Sequence, residues 1–119
     1  GHKIYVCGEV NSPMTLYLEG KTNALEAIFN AGGFKEDAKL STVMIVSKSA
    51  DNQPIVRIVD LKKATKGELS ESEYLLRPFD MVYVPKSKQV KDSKFMSHIY
   101  ELVRLGFTYE LHSDDYAFN

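Results

Sequence analysis

The stretch "LEAIFNAGGFKEDA", Leu25–Ala38, decides how the rest of the chain reads. Leu25, Ile28 and Phe29 recur at i, i+3 and i+4, and Ala24 and Ala31 widen the same apolar face, which predicts a short amphipathic helix. Thr22 or Asn23 supplies its N-cap, and Asn23 with Glu26 approximates a capping box. Gly32 and Gly33 follow at once. Glycines that cradle an anion precede a helix, where backbone N–H groups and the positive end of the dipole face the ligand. These two come after it, so they read as a helix stop.

Outward from this helix the period changes to two. Upstream, "KIYVCGEV" is β-branched and aromatic, Gly8 and "NSP" (Asn11–Pro13) mark a turn, and "MTLYL" sets Met14, Leu16 and Leu18 against Thr15 and Tyr17. This is a hairpin. Downstream, "STVMIVSK" and "PIVRIVDL" are two strands joined by the turn residues "SADNQ". In the second, Ile55, Arg57 and Val59 alternate with Val56, Ile58 and Asp60, which suits an antiparallel pair with one wetter face. "KKATKGELSESE" reads as mostly loop with one helical turn, and "MVYVP" as a short last strand ended by Pro85. After a lysine run at 86, 88, 91 and 94, the residues Phe95, Met96, Ile99, Leu102 and Val103 form a helical stripe capped by Asp92 or Ser93. "FTYEL" then alternates again as a strand-like tail.

Composition narrows the function classes. The chain has 119 residues, enough for one domain and an appendage, and 44% hydrophobic residues, enough for a packed core. Its 15 Lys and Arg against 16 Asp and Glu give a net charge of −1, unlike a general nucleic-acid binder. No stretch reaches the roughly 20 apolar residues that span a bilayer. The opening "GH", residues 1–2, reads as an affinity-tag remnant, and the chain as an excised domain whose targeting signal lies elsewhere.

Catalytic and metal chemistry find little support. "EGKT" (Glu19–Thr22) precedes a helix, but a phosphate loop needs a glycine where Thr15 stands, and Glu19 would repel phosphate. Cys7, the one cysteine, lies in an apolar strand as a small buried hydrophobe. His98 lies on the polar side of its helix and His112 in a solvated tail, without the three or four spaced ligands a metal needs. No metal or cofactor is expected, and the protein reads as a non-enzyme.

Four blocks in order carry a resemblance: "YVCGEVNSP", "LEAIFNAGGFKEDA", "VRIVDLKKATKG" and "LLRPFDMVYVPKS". From Ile4 to Ser87 the chain resembles the soluble ligand-binding β-grasp (SLBB) domain of outer-membrane polysaccharide export proteins. The resemblance implies an α+β, β-grasp fold over residues 3–87, a mixed sheet packed on one helix, with residues 88–119 adding a C-terminal helix and a strand-like tail. It also implies a periplasmic, outer-membrane-associated component of capsule or exopolysaccharide export. Such a component forms rings with copies of itself and works with an inner-membrane polysaccharide co-polymerase. Two turns depart from the family. Pro13-Met14 replaces Pro-Gly, and Pro78-Phe79-Asp80 replaces Pro-Gly-Asp, so either the second turn changes type or Phe79 is strained or newly packed.

If the domain touches polysaccharide, Asn11, Tyr17, Arg57 and Tyr74 are the expected contacts. The alternative for both tyrosines is packing at the sheet edge, and for Arg57 an ion pair across the sheet. Gly8, Pro13, Gly32, Gly33, Pro78 and Asp80 are expected to shape the backbone. The β-grasp domain also resembles part of DNA-uptake receptors, which are expected to lack the long 44–59 hairpin and to carry helix-hairpin-helix repeats. Neither matches here, and no nucleic-acid partner is expected. Related domains occur in flavin and iron–sulfur proteins, but a single cysteine excludes a Cys-ligated cluster within this chain. A protein-interaction scaffold with no glycan contact is the remaining alternative.

Overall fold

The computed structural model describes residues 2–90 together with Lys94, Phe95, Ser97 and Glu101. Five strands form one mixed sheet, β1 (His2–Gly8), β2 (Met14–Leu18), β3 (Val43–Lys48), β4 (Pro54–Val59) and β5 (Met81–Val84), in the order β2-β1-β5-β3-β4. The first and last strands are parallel neighbours at the centre, with Tyr5 opposite Met81 and Cys7 opposite Tyr83. The other pairings are antiparallel. With helix α1 (Ala24–Asn30) packed on one face, this is a β-grasp fold.

The N-cap of α1 is Asn23, whose Oδ1 accepts from the Glu26 N–H at 2.9 Å. Its amide nitrogen donates to the side chains of Glu26 and Glu71, each at 2.9 Å, which satisfies a polar residue buried in the structure. The helix ends as a Schellman motif. Gly32 N–H donates to Phe29 O at 3.0 Å and Gly33 N–H to Ile28 O at 2.9 Å, with Gly32 at φ +83°. The glycine pair is therefore a helix stop.

One face of the sheet carries Ile4, Val6, Val43, Ile45, Val82 and Val84 against Ala24, Ala27, Ile28 and Ala31 of the helix. Phe29, expected on this apolar face, is 69% exposed. At about 100° per residue, the buried arc centres on Ala24, Ala27, Ile28 and Ala31, and Phe29 lies beyond its edge. The opposite face carries Tyr5, Cys7, Met44, Val46, Met81 and Tyr83, and Phe95 packs on it with its ring 5.9 Å from that of Tyr83. Both faces of the sheet are thus apolar, which explains the near-continuous burial of β1, β3 and β5.

The segment expected to be mostly loop with one helical turn has that turn, and a second, 3₁₀ turn besides. Helix α2 (Leu61–Thr65) buries Leu61 and Ala64 and is capped by Asp60, and a capping box at Ser70 and Glu73 closes a 3₁₀ turn over Glu71–Glu73. Helix α3 (Ser87–Val90) follows β5, and Phe95, Ser97 and Glu101 are helical. The remainder of the expected C-terminal helix, its cap at Asp92 or Ser93, and the "FTYEL" tail lie outside the described residues.

Gly8 ends β1 at φ +89°, and a Cβ there would stand 2.2 Å from the Val84 carbonyl oxygen. Phe79 adopts φ +69°, so the turn keeps the backbone expected of glycine and Phe79 carries the strain. Such a conformation costs an L-residue about 1–2 kcal/mol. Pro78 precedes it, and Asp80 N–H donates to Arg77 O at 3.1 Å, the arrangement of a type II turn. The turn is held in place by Phe79 N–H donating to Lys3 O and Tyr5 N–H donating to Asp80 O.

Candidate functional site

The four residues expected to contact a ligand fall in different places. Asn11 is exposed, but its amide donates to Gly32 O at 2.7 Å, and its backbone N–H donates to Gly33 O. It ties the first turn to the helix stop. Pro13 lies in that turn, half-buried. Tyr17 is 69% exposed on edge strand β2, paired with Lys3. Tyr74 is buried in the helix-side core, and its carbonyl accepts from Ala24 N–H at 2.9 Å. Arg57 lies on β4, at the other edge of the sheet. Four strand spacings of ~4.8 Å put Tyr17 and Arg57 roughly 19 Å apart. No single sugar residue bridges them.

Two of the four, Asn11 and Arg57, line concavities, and Arg57 also joins a buried carboxylate. Its neighbours follow from register. Ser47 pairs with Ile55 and Ile45 with Arg57, so Ser47 and Arg57 share a face of the hairpin. The turn after Pro78 delivers Asp80 onto the same spot. Asp80 is 1% exposed, and its carboxylate accepts from Ser47 Oγ at 2.6 Å and from Arg77 N–H at 2.8 Å. Arg57 Nη2 lies 3.9 Å from the carboxylate and donates to Leu75 O at 3.1 Å. Asp80 thus fastens the Pro-Phe turn to the β3–β4 hairpin. The expected pairing of Arg57 with an acidic residue is present, and its side chain stays one-third exposed.

Outside this pair a groove of about 540 Å³ runs along β4, lined by Arg57, Ile58, Asp60, Lys63, Leu69 and Glu73 among others. Its two carboxylates already cap backbone: Asp60 accepts from Lys63 N–H and Glu73 from Ser70 N–H. Ile58, 56% exposed, and Leu69 supply apolar surface. The Arg57 Nε is buried with no hydrogen-bond partner among the described residues. Apolar patches beside the partly exposed Arg57 and Lys63 side chains suit a ligand with hydroxyls and C–H faces. A second concavity, of about 380 Å³, lies at Asn11, Glu9, Phe34 and Lys35, and a third, of about 320 Å³, at the Pro-Phe turn.

The profile of the SLBB domain matches residues 2–84. The chain belongs to the SLBB-domain family. The matched span begins with β1 and ends with β5, so it takes in every strand of the sheet. Among curated proteins, none matches the chain. The SLBB resemblance read from the four sequence blocks therefore stands. Among the described residues, no cluster of His, Cys, Asp or Glu could hold a metal, and no helix is long and apolar enough to cross a membrane.

Arg57 was legible in the sequence as a charge within an apolar strand. Asp80 was named only for its turn, and its part in fastening Arg57 was missed. The signal that could have found it is parity: Asp80 stands two residues before Val82 and so takes the same face of β5 as the helix-side core.

Proposed function

We propose that this SLBB domain is a non-enzymatic, periplasmic module of a bacterial capsule or exopolysaccharide export protein at the outer membrane. In this reading it buttresses a ring built from copies of the same protein, works with an inner-membrane polysaccharide co-polymerase, and contacts passing glycan. The observation that carries the reading is the SLBB match over residues 2–84 on an intact β-grasp sheet. The Arg57 groove supports the glycan contact, since it combines the cationic side chains of Arg57 and Lys63 with exposed Ile58. Ring contact is supported by β4 itself, an edge strand with Ile55 and Ile58 exposed. A head-to-tail contact at such an edge closes into a ring when the rotation permits.

The test is an NMR titration of the chain with acidic and neutral exopolysaccharide oligosaccharides, with single-stranded DNA as control. Saturable shifts with sugar support the reading. Shifts with DNA alone would replace it with the DNA-uptake reading. Silence with every sugar would leave a scaffold whose only ligand is protein, to be checked by the mass of the full-length assembly.

A further inference from the structure

The described residues include two non-glycine positions at positive φ, Asn52 at +65° and Phe79 at +69°. Both line the same concavity, the cleft of about 320 Å³ between the tip of the β3–β4 hairpin and the Pro-Phe turn. Asn tolerates this conformation, and Phe does not. Glycine would occupy position 79 without strain. Instead the chain keeps a large apolar side chain there, and 49% of the residue is exposed. Its ring meets that of His2 edge-on at 6.5 Å, at the surface, so the core gains little from Phe79, while the backbone bears the strain. Strain held at an exposed aromatic residue marks a position where the ring does something outside the core.

The rest of the cleft indicates what that ring meets. Lys48 and Arg77 bring two cationic side chains to it, and Asn52 brings an amide. The one carboxylate, Asp80, is 1% exposed and already accepts from Ser47 Oγ and Arg77 N–H. It also lies 3.9 Å from the Arg57 guanidinium, so an incoming anion meets it already compensated. An apolar ring face, the Arg77 side chain and a neutral amide in a shallow cleft are complementary to a sugar ring that bears a carboxylate. The C–H face lies on Phe79, the carboxylate faces Arg77, and a hydroxyl reaches Asn52.

The geometry points to this cleft as a subsite for an acidic sugar residue, with Phe79 as its stacking platform and Arg77 as its principal carboxylate partner. This rests on the glycan-contact reading above and names both the sugar class and the place. Because Asp80 lines the cleft and Arg57 lines the β4 groove, the two concavities share the Arg57–Asp80 pair as a wall.

The experiment uses the full chain, an oligogalacturonate, and the same oligosaccharide with its carboxyl groups reduced. Backbone amide shifts are followed by heteronuclear NMR in the wild type and in Phe79→Asn, Phe79→Tyr and Arg77→Gln. Asn tolerates the left-handed backbone, and the Arg77 change leaves its backbone hydrogen bond to Asp80 intact, so both variants should keep the wild-type spectrum elsewhere. The expected result is saturable, salt-sensitive shifts at Asn52, Arg77 and Phe79 with the acidic sugar. The reduced sugar, Phe79→Asn and Arg77→Gln should each bind roughly tenfold more weakly, and Phe79→Tyr should bind as the wild type does. Shifts confined to Arg57, Ile58 and Lys63 would overturn the subsite while leaving glycan contact standing. Silence everywhere would overturn both. Shifts at Phe79 that grow with protein concentration, without sugar, would overturn the subsite in favour of a contact between copies.

Discussion

Replacing Gly8 with alanine adds one methyl group where β1 meets the Val84 backbone of β5. The added Cβ would stand 2.2 Å from Val84 O and 2.9 Å from Val84 N and C, distances that real Cβ atoms essentially never show. The obstacle is backbone in the middle of the sheet, so no side chain can rotate away. Two contributions add. Holding alanine at φ +89° costs about 1–2 kcal/mol. Moving Val84 away strains its carbonyl's bond from Glu9 N–H, 2.7 Å long, and an unmade buried hydrogen bond costs about 1–3 kcal/mol. The sum is about 2–5 kcal/mol, a large share of the roughly 5–15 kcal/mol that stabilises a domain. At about 4 °C per kcal/mol for a domain of this size, Tm should fall by about 8–20 °C. Gly67→Ala separates the two contributions. Gly67 has φ +72° and nothing within 4 Å of a built Cβ, so only the strain remains and Tm should fall by about 4–8 °C. Circular-dichroism melts of the two variants beside the wild type are sufficient. If Gly8→Ala melts together with Gly67→Ala, the close approach of the two central strands is wrong.

Asp80→Ala should destabilise by about 2–4 kcal/mol in urea titration, because Ser47 Oγ and Arg77 N–H lose their acceptor and the buried Ser47 hydroxyl is left unpaired; a loss under 1 kcal/mol would show that the carboxylate fastens nothing. Cys7, buried beneath the face that Phe95 covers, should react slowly with a thiol reagent in the native chain and at least several-fold faster in Phe95→Ala, and equal rates would deny Phe95 that role. The Asp51 carboxyl, at the hairpin tip, should titrate below its ordinary 3.8, chiefly because Ser49 Oγ donates to it and then because of backbone N–H groups. A carboxyl whose pKa is depressed on folding contributes order above its unfolded pKa and loses it as pH falls through the folded value. The tip should therefore loosen only in acid, and Ser49→Ala should move the NMR titration of Asp51 upward.

Much of the fold was legible because it is local. Period-two alternation placed β2 at its observed bounds, with Met14, Leu16 and Leu18 more covered than Thr15 and Tyr17. Asn23 announced the start of α1 by its chemistry, and the glycine pair announced its end. What escaped depends on contacts distant in the chain. Phe29 was placed on the buried face because the pattern was read from Leu25, whereas the sheet selects the arc centred on the alanines. Tyr74 is expected as a sugar contact because aromatic faces suit C–H surfaces, with packing at the sheet edge as the alternative. It is buried with Leu76, two residues on, because that segment lies along the start of α1, where Leu76 N–H donates to Thr22 O. The order of the strands, and with it the meeting of Asp80 with Ser47 and Arg57, could not be read from any single segment. Phe79 is the intermediate case. Its departure from Pro-Gly-Asp signalled strain, and only the backbone shows that the turn kept its shape.

The parallel pairing of β1 with β5 also has a mechanical consequence. His2 lies at one end of the central pair and Val84 at the other. A pull on the two ends of the domain therefore drags the central strands past each other along their length. The slanted hydrogen bonds of the parallel ladder share that load together, where an antiparallel hairpin pulled from its open end would give way one bond at a time. A domain wired in this way transmits tension along the chain with little extension, whatever flanks it.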